Sequence, residues 1–230
     1  MKTIGLIGGT SWHSTIEYYR IINETVNKRA GNNTSAKILL YSVDFGEIVV
    51  ITEKGDWEGI AKILCDAAQK LELAGAECIL LCANTMYINA GKVQASINIP
   101  LIHEADITVQ AIQEQQLSAV LLLGTKNTMF GGFYLQRLRQ YGIETFIPGG
   151  NLPDIINSTI YNELGKGIFL PETKKIYLDI IGDFVSQGAL GVILGCTEIP
   201  LLLNQSDCTI PLFDTTMLHA TAAVDFAGWY

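Results

Sequence analysis

Short apolar segments alternate with amphipathic stretches along this chain, and the alternation runs through twice. Each apolar segment is only a few residues long and is followed by a helical pattern. That arrangement predicts a parallel sheet, because a strand reaches its parallel neighbour through a crossover helix. The expected strands are residues 3–7, 37–43, 78–81 and 101–102, then 119–123, 143–147, 191–194 and 212–213. Between them, residues 14–29 place Ile16, Tyr19, Ile22 and Val26 on one stripe. Residues 57–74 do the same with Ile60, Ile63, Leu64, Ala67, Ala68 and Leu71, and Gly75 marks the stop. Pro171 suits the first position of a helix through Gln187 that carries Ile176, Ile180 and Phe184.

The second run copies the first. Gly8-Gly9-Thr10 corresponds to Leu123-Gly124-Thr125, an offset of 115 residues. Ile99-Pro100-Leu101-Ile102 corresponds to Ile210-Pro211-Leu212-Phe213 at 111, and Ala83-Asn84-Thr85 to Cys196-Thr197-Glu198 at 113. Three matches in one order at nearly one offset indicate a duplicated unit. The fold expected is α/β: two pseudo-symmetric parallel-sheet α/β domains with the active site in the cleft between them. Ligands of open α/β sheets bind at the carboxyl ends of strands, which the matched segments occupy. The expected division is residues 1–105 plus 208–230 for the first domain and 106–207 for the second, the last strand and helix packing back on the first.

Composition removes several classes of function. Of 230 residues, 49% are hydrophobic and 17% charged, enough apolar material for a buried core. The net charge is −8, and the 15 basic residues are scattered. Nucleic acid and anionic membrane surfaces need clustered Lys and Arg, so neither is an expected partner. The N-terminal apolar stretch is too short for a secretory signal, and no apolar run reaches membrane-spanning length. Five cysteines without framework spacing predict free thiols in a reducing, cytoplasmic setting, and none forms a zinc-binding pair.

Cys196 is the leading chemical candidate. Gly195 lets a ligand approach the backbone, and Thr197 and Glu198 add a hydroxyl and a carboxylate. A helix starting here would favour the thiolate and lower the thiol pKa. A buried structural cysteine fits the same residues. Asn84 and Thr85, at the matching strand end, suit a carboxylate or a developing enolate oxygen, and equally a helix cap. Gly8-Gly9-Thr10-Ser11 suits an anion cradle or a tight turn. Thr125 and Thr128 offer two further hydroxyls, and Lys166 either a cation for a side-chain carboxylate or a solvated surface charge. Cys82 should face away from Ala83 into the core, with Cys65 and Cys78 also structural. His13, His103 and His219 stand alone in sequence.

These motifs resemble the aspartate/glutamate racemase superfamily, in its aspartate racemase branch. The resemblance runs through Ile4-Gly5-Leu6-Ile7-Gly8-Gly9-Thr10-Ser11-Trp12, Tyr41-Ser42-Val43-Asp44-Phe45, Ala83-Asn84-Thr85-Met86-Tyr87, Leu123-Gly124-Thr125, Gly195-Cys196-Thr197-Glu198-Ile199 and Phe213-Asp214-Thr215. It implies a cofactor-independent isomerase, without pyridoxal phosphate, in which two cysteines flank the substrate α-carbon. One thiolate removes the α-proton and the opposite thiol returns a proton to the other face. It also implies an acidic amino acid as substrate and a homodimer. The implied site has Cys196 as the catalytic residue, with Thr10, Ala83, Asn84, Thr85, Thr125, Thr128, Lys166, Thr197 and Glu198 around the substrate.

The sequence departs from the family at one motif. Where the family has Cys-Asn-Thr-x-His, this chain has Ala83-Asn84-Thr85-Met86-Tyr87, so the first cysteine and the histidine are both replaced. Resemblance to single-cysteine relatives then implies one-sided or impaired racemisation, directed at the L-enantiomer. It also implies two alternatives: an arylmalonate decarboxylase-like reaction needing one acid, or a catalytically silent binder of acidic amino acids.

Overall fold

Ile4–Gly8, buried at every position, forms the central strand β1 of a three-stranded parallel sheet. A computed structural model describes residues 1–229 and divides them into two units. One comprises residues 1–103 and the segment from His219, the other Glu104–Leu218. In the first unit β2 (Ile38–Ser42) and β3 (Cys78–Leu81) flank β1 in the order β2-β1-β3. The register pairs Ile7 with Tyr41 on one side and with Leu81 on the other. Ile79 adds a single parallel bridge to Leu101, where a short strand was expected.

Side chains alternate across a strand, so β1 and β3 send alternate residues to opposite faces. Ile4, Leu6, Cys78, Leu80 and Cys82 pack with Tyr18, Ile21, Ile22 and Val26 of α1 (Trp12–Ala30). The helix α3 (Trp57–Leu73) buries Ile60, Leu64, Ala67, Ala68 and Leu71 and packs on β1. Between β2 and α3 lies α2 (Phe45–Glu53), capped by Asp44, and α4 (Ala90–Ala95) follows β3. Of the α1 stripe read from sequence, Ile22 and Val26 are buried and the N-terminal half is out of phase. Ile16 and Tyr19 are 53% and 55% exposed, and the buried face carries Ser14, Thr15 and Tyr18 instead. Polar groups can face inward there because each has a partner. The Ser14 hydroxyl donates to the Cys82 carbonyl, and the Thr15 Oγ1 accepts from the Gly9 N–H at 2.9 Å.

The second unit holds β4 (Ala119–Gly124), β5 (Glu144–Phe146), β6 (Val192–Gly195) and β7 (Leu212–Asp214), parallel in the order β5-β4-β6-β7. Its helices are α5 (Glu104–Glu114), α6 (Lys126–Phe130), α7 (Phe133–Gln140), α8 (Leu152–Asn162), α9 (Pro171–Ser186), α10 (Ile199–Leu202) and the start of α11 (Thr215–Phe226). Val120 to Leu123 and Val192 to Leu194 form the core with Ile156, Tyr177, Ile180 and Phe184. Ile176, placed on the α9 core stripe by its spacing, lies at the surface, and Tyr177 takes the buried position.

Strand order alone now exhibits the internal repeat. The sequence β2-β1-β3 followed by the Leu101 bridge corresponds to β5-β4-β6-β7. One boundary differs from the sequence reading. Leu212–Asp214 was expected with the first domain, yet it pairs in register with β6, Leu194 opposite Asp214. The division falls inside α11, between Leu218 and His219. From there Ala220, Ala223, Val224 and Ala227 join the core of the first unit. No helix among the described residues is long and apolar enough to cross a membrane.

Candidate active site

Gly124 and Gly195 end the adjacent strands β4 and β6 and face one another in the ladder. Neither position has room for a side chain. A Cβ on Gly195 would lie 2.9 Å from the Leu123 carbonyl and 3.1 Å from Thr128, and one on Gly124 would lie 2.8 Å from the Gly195 carbonyl. This close approach brings the loop after β4 against the loop after β6. Thr125 caps α6, its Oγ1 accepting from the Thr128 N–H at 3.3 Å, and the two hydroxyls are 3.2 Å apart. Both threonines are buried beside the strand end that carries Cys196.

Cys196 is 9% exposed. Its thiol donates to Glu198 Oε2 at 2.8 Å, and the Thr197 hydroxyl donates to the same oxygen at 2.8 Å. All three side chains are buried, so these charge-assisted bonds operate with little competition from water. Burial first, and the Glu198 carboxylate second, push the Cys196 thiol well above its ordinary range. The sequence led to the opposite expectation, a thiolate favoured by a helix start. Residues 196–198 instead form a turn, and the helix after them is only the four residues of α10. A single turn gathers too little dipole to outweigh the adjacent carboxylate. At rest the cysteine is a protonated thiol with its proton aimed at an acceptor.

Two tyrosines sense charge on Cys196. Desolvation first, and that charge after it, raise both Tyr177, which is buried, and Tyr161, which keeps half its surface exposed. The Tyr177 phenol is held by the Thr159 hydroxyl at 3.0 Å. Lys166 lies in the 3₁₀ turn Leu164–Lys166, which packs against α10, and its side chain is exposed.

In the first unit the equivalent strand ends are those of β1 and β3. Gly9 turns the chain with φ of 81°, and a Cβ there would strike the Val43 carbonyl. Thr10 follows, buried, its hydroxyl without a hydrogen-bond partner among the described residues. After β3 come Cys82 and Ala83 and then a 3₁₀ turn, Asn84–Asn89. Asn84 is buried, and Ala83 and Thr85 are half-buried. The Ser14 hydroxyl, bonded to the Cys82 carbonyl, ties the α1 start to this strand end. Thr10, Ala83, Asn84 and Thr85 are thus grouped in one unit, and Thr125, Thr128, Cys196, Thr197 and Glu198 in the other.

Two other thiols and one histidine are structural. Cys78 and Cys82 are fully buried, and burial pushes the Cys78 thiol up to about 12. His219, fully buried, accepts from or donates to Tyr18 Oη at 2.8 Å through Nδ1, and its Nε2 lies 2.8 Å from the Ile102 carbonyl. A carbonyl can only accept, so Nε2 carries the proton and Nδ1 accepts from Tyr18. Burial lowers the imidazole to about 3 and keeps it neutral. Tyr87, standing where the resembled motif has histidine, bonds to Nε2 of the same ring at 3.1 Å.

Glu104 does not stand out in the sequence. It looks like an ordinary first-turn helix acid, yet it is 0% exposed and contacts Tyr134. A carboxylate one residue beyond an apolar strand stretch and its histidine was the available signal.

Comparison with known proteins gives a consistent picture. The family model "Asp/Glu/Hydantoin racemase" matches residues 7–223. A crystal structure from Yersinia pestis, of a protein assigned to the Asp/Glu racemases, is 47% identical over 99% of both chains, with a TM-score of 0.93. An aspartate racemase homologue from Pyrococcus horikoshii is 36% identical over 99% of both chains, with a TM-score of 0.89. The broad specificity amino-acid racemase RacX of Bacillus subtilis is 25% identical over 169 residues, 74% of this chain and 73% of RacX.

Proposed function

The chain belongs to the Asp/Glu/hydantoin racemase family, and from that premise we propose that it exchanges the α-proton of an acidic amino acid through the single thiol of Cys196. The observation that carries this reading is the buried Cys196–Glu198 pair at 2.8 Å, a proton donor and its acceptor at a strand end. Glu198 takes the thiol proton when substrate binds. The thiolate then removes the α-proton, and the electron pair passes into the substrate carboxylate as an enolate. Thr10, Asn84 and Thr85 donate to that carboxylate, with Thr125 and Thr128 supporting them, and Thr197 joins them by releasing Glu198 once Glu198 holds the thiol proton. Lys166 pairs with the side-chain carboxylate of aspartate or glutamate.

Ala83 stands in the motif position of the first family cysteine and can neither give nor take a proton. Loss of one positioned acid/base group costs about 10²–10⁴ in rate. Cys196 therefore returns its proton to the face it came from, and inversion depends on water at the other face. The outcome is rapid exchange with solvent on one enantiomer, the L form, and slow net racemisation. A thiol protonated at rest also suits the decarboxylative reading, in which an acid delivers a proton to an enediolate; carbon dioxide release from a malonate distinguishes it.

The test is deuterium incorporation at the α-carbon of L- and D-aspartate and L- and D-glutamate. Exchange on one enantiomer, abolished in Cys196→Ser, is expected. No exchange with any of the four, or exchange that survives Cys196→Ser, refutes the reading. Ala83→Cys is expected to raise net racemisation by at least about tenfold, the low end of what an acid/base group supplies. A homodimer is the proposed assembly, and light scattering reads it directly.

A further inference from the structure

Glu104 opens α5 in the second unit with no solvent exposure. The Tyr134 phenol of α7 donates to its Oε1 at 3.0 Å, and the Thr108 hydroxyl lies 3.2 Å from that phenol. Its other oxygen, Oε2, is buried without a hydrogen-bond partner among the described residues. The Thr215 hydroxyl faces the same carboxyl. That hydroxyl donates at 3.0 Å to the carbonyl of Leu194, two residues before Cys196. One hydroxyl proton cannot serve two acceptors fully, so Thr215 meets Glu104 chiefly as an acceptor. A buried carboxylate oxygen lacking a donor is costly when charged, and a proton on it removes the cost.

The charged surroundings point the same way. From β7, Asp214 faces Glu104 and disfavours a second negative charge, though Asp214 is itself held by the N–H groups of Thr216 and Met217, each at 3.0 Å. From α7, Arg137 is engaged by Asp106 at 3.2 Å, at the surface. From the end of β6, Cys196 senses any charge on Glu104. The helix start of α5 favours an anion, but burial dominates and raises Glu104 to about 7.

We propose that Glu104, held as a neutral acid between Tyr134 and Thr215, is a positioning residue for Cys196: it completes a hydrogen-bonded chain to the Leu194 carbonyl that fixes the thiol-bearing strand end, and its ionisation disfavours the thiolate. This rests on Cys196 being the proton-transfer group. When Glu104 ionises, the chain to Thr215 loses its donor and a further negative charge opposes the thiolate. Activity consequently falls as pH rises through neutrality, against the usual trend for a thiol base, which gains thiolate with pH.

The experiment compares the parent chain, Glu104→Gln and Glu104→Ala over a pH series. Glutamine reproduces the neutral acid, an acceptor toward Tyr134 and a donor toward Thr215. The expected results are exchange within about threefold of the parent for Glu104→Gln below neutrality, and no alkaline fall in that variant. Alkylation of Cys196 at alkaline pH should be faster in Glu104→Gln by about threefold, the change in thiolate for half a pKa unit. Infrared difference spectra of the parent at acid pH should show a protonated carboxyl stretch that Glu104→Gln lacks. Three results overturn the proposal: loss of exchange in Glu104→Gln as deep as in Glu104→Ala at every pH, an alkaline fall retained in Glu104→Gln, or no protonated carboxyl in the parent. Alkylation and infrared readouts need no turnover, so a parent chain that exchanges nothing refutes the role of Cys196 while leaving these results to judge Glu104.

Discussion

Replacing Glu198 with glutamine should move two properties of Cys196 in opposite directions. The thiol donates to Glu198 Oε2 at 2.8 Å inside a buried turn. A unit charge about 4 Å from the thiolate interacts with it by about 4 kcal/mol at an effective dielectric of about 20. Removing that repulsion lowers the thiol pKa by up to about three units, since one unit is about 1.4 kcal/mol. The retained amide and partial solvent access reduce the gain, so about tenfold faster alkylation of Cys196 by iodoacetamide at pH 8 is the expected floor. Substrate exchange should fall about 10²-fold or more, because an amide cannot take up the thiol proton. A purely structural Glu198 would change both properties together, by loosening the turn. The assay is paired: alkylation rate by mass spectrometry and α-deuteration by NMR on one preparation. Unchanged exchange in Glu198→Gln, or slower alkylation, refutes the assignment of Glu198 as the acceptor.

Gly195→Ala forces a Cβ to within 2.9 Å of the Leu123 carbonyl; overpacking of that kind costs about 1–3 kcal/mol, measurable by urea denaturation, and the displaced thiol should lose about 10²-fold in exchange. His219 is depressed to about 3 from an ordinary value of 6.5, so the stability it contributes is present above 6.5 and is lost as pH falls from there toward 3. The linkage amounts to about 5 kcal/mol at most, read from denaturation midpoints against pH. Glu104 has the opposite sign: raised to about 7 from an ordinary 4.5, it leaves the fold most stable at low pH and costs up to about 3 kcal/mol as pH rises through 7, a loss that Glu104→Gln should remove.

The strands were legible because their cores are apolar on both faces, as buried parallel strands must be. Ile4 to Ile7 and Ala119 to Leu123 needed only their composition, and the repeat located both sets of strand ends. The helix phases were harder. In α1 the residues Ile16 and Tyr19 fit a 3.6 period as well as Tyr18 and Ile21 do, and what decides between them is tertiary: Ser14 and Thr15 have buried partners on Cys82 and Gly9. The α2 stretch Ile48-Val49-Val50-Ile51 is β-branched and carries no helical stripe, so only its Asp44 cap announces a helix. At the candidate site the strand ends that carry Gly124 and Gly195 were readable and the electrostatics around Cys196 were not. Whether Glu198 turns back onto Sγ or caps a helix depends on two backbone torsions that no motif encodes. Glu104 was invisible for a related reason, since burial of a first-turn acid is decided by Tyr134 and Thr215, far away in sequence.

The first unit draws Ala220, Ala223, Val224 and Ala227 into its core from the far end of the polypeptide. That core therefore stays incomplete until synthesis is finished, with Ile4, Leu6 and Tyr18 open to chaperones while the rest of the chain is made.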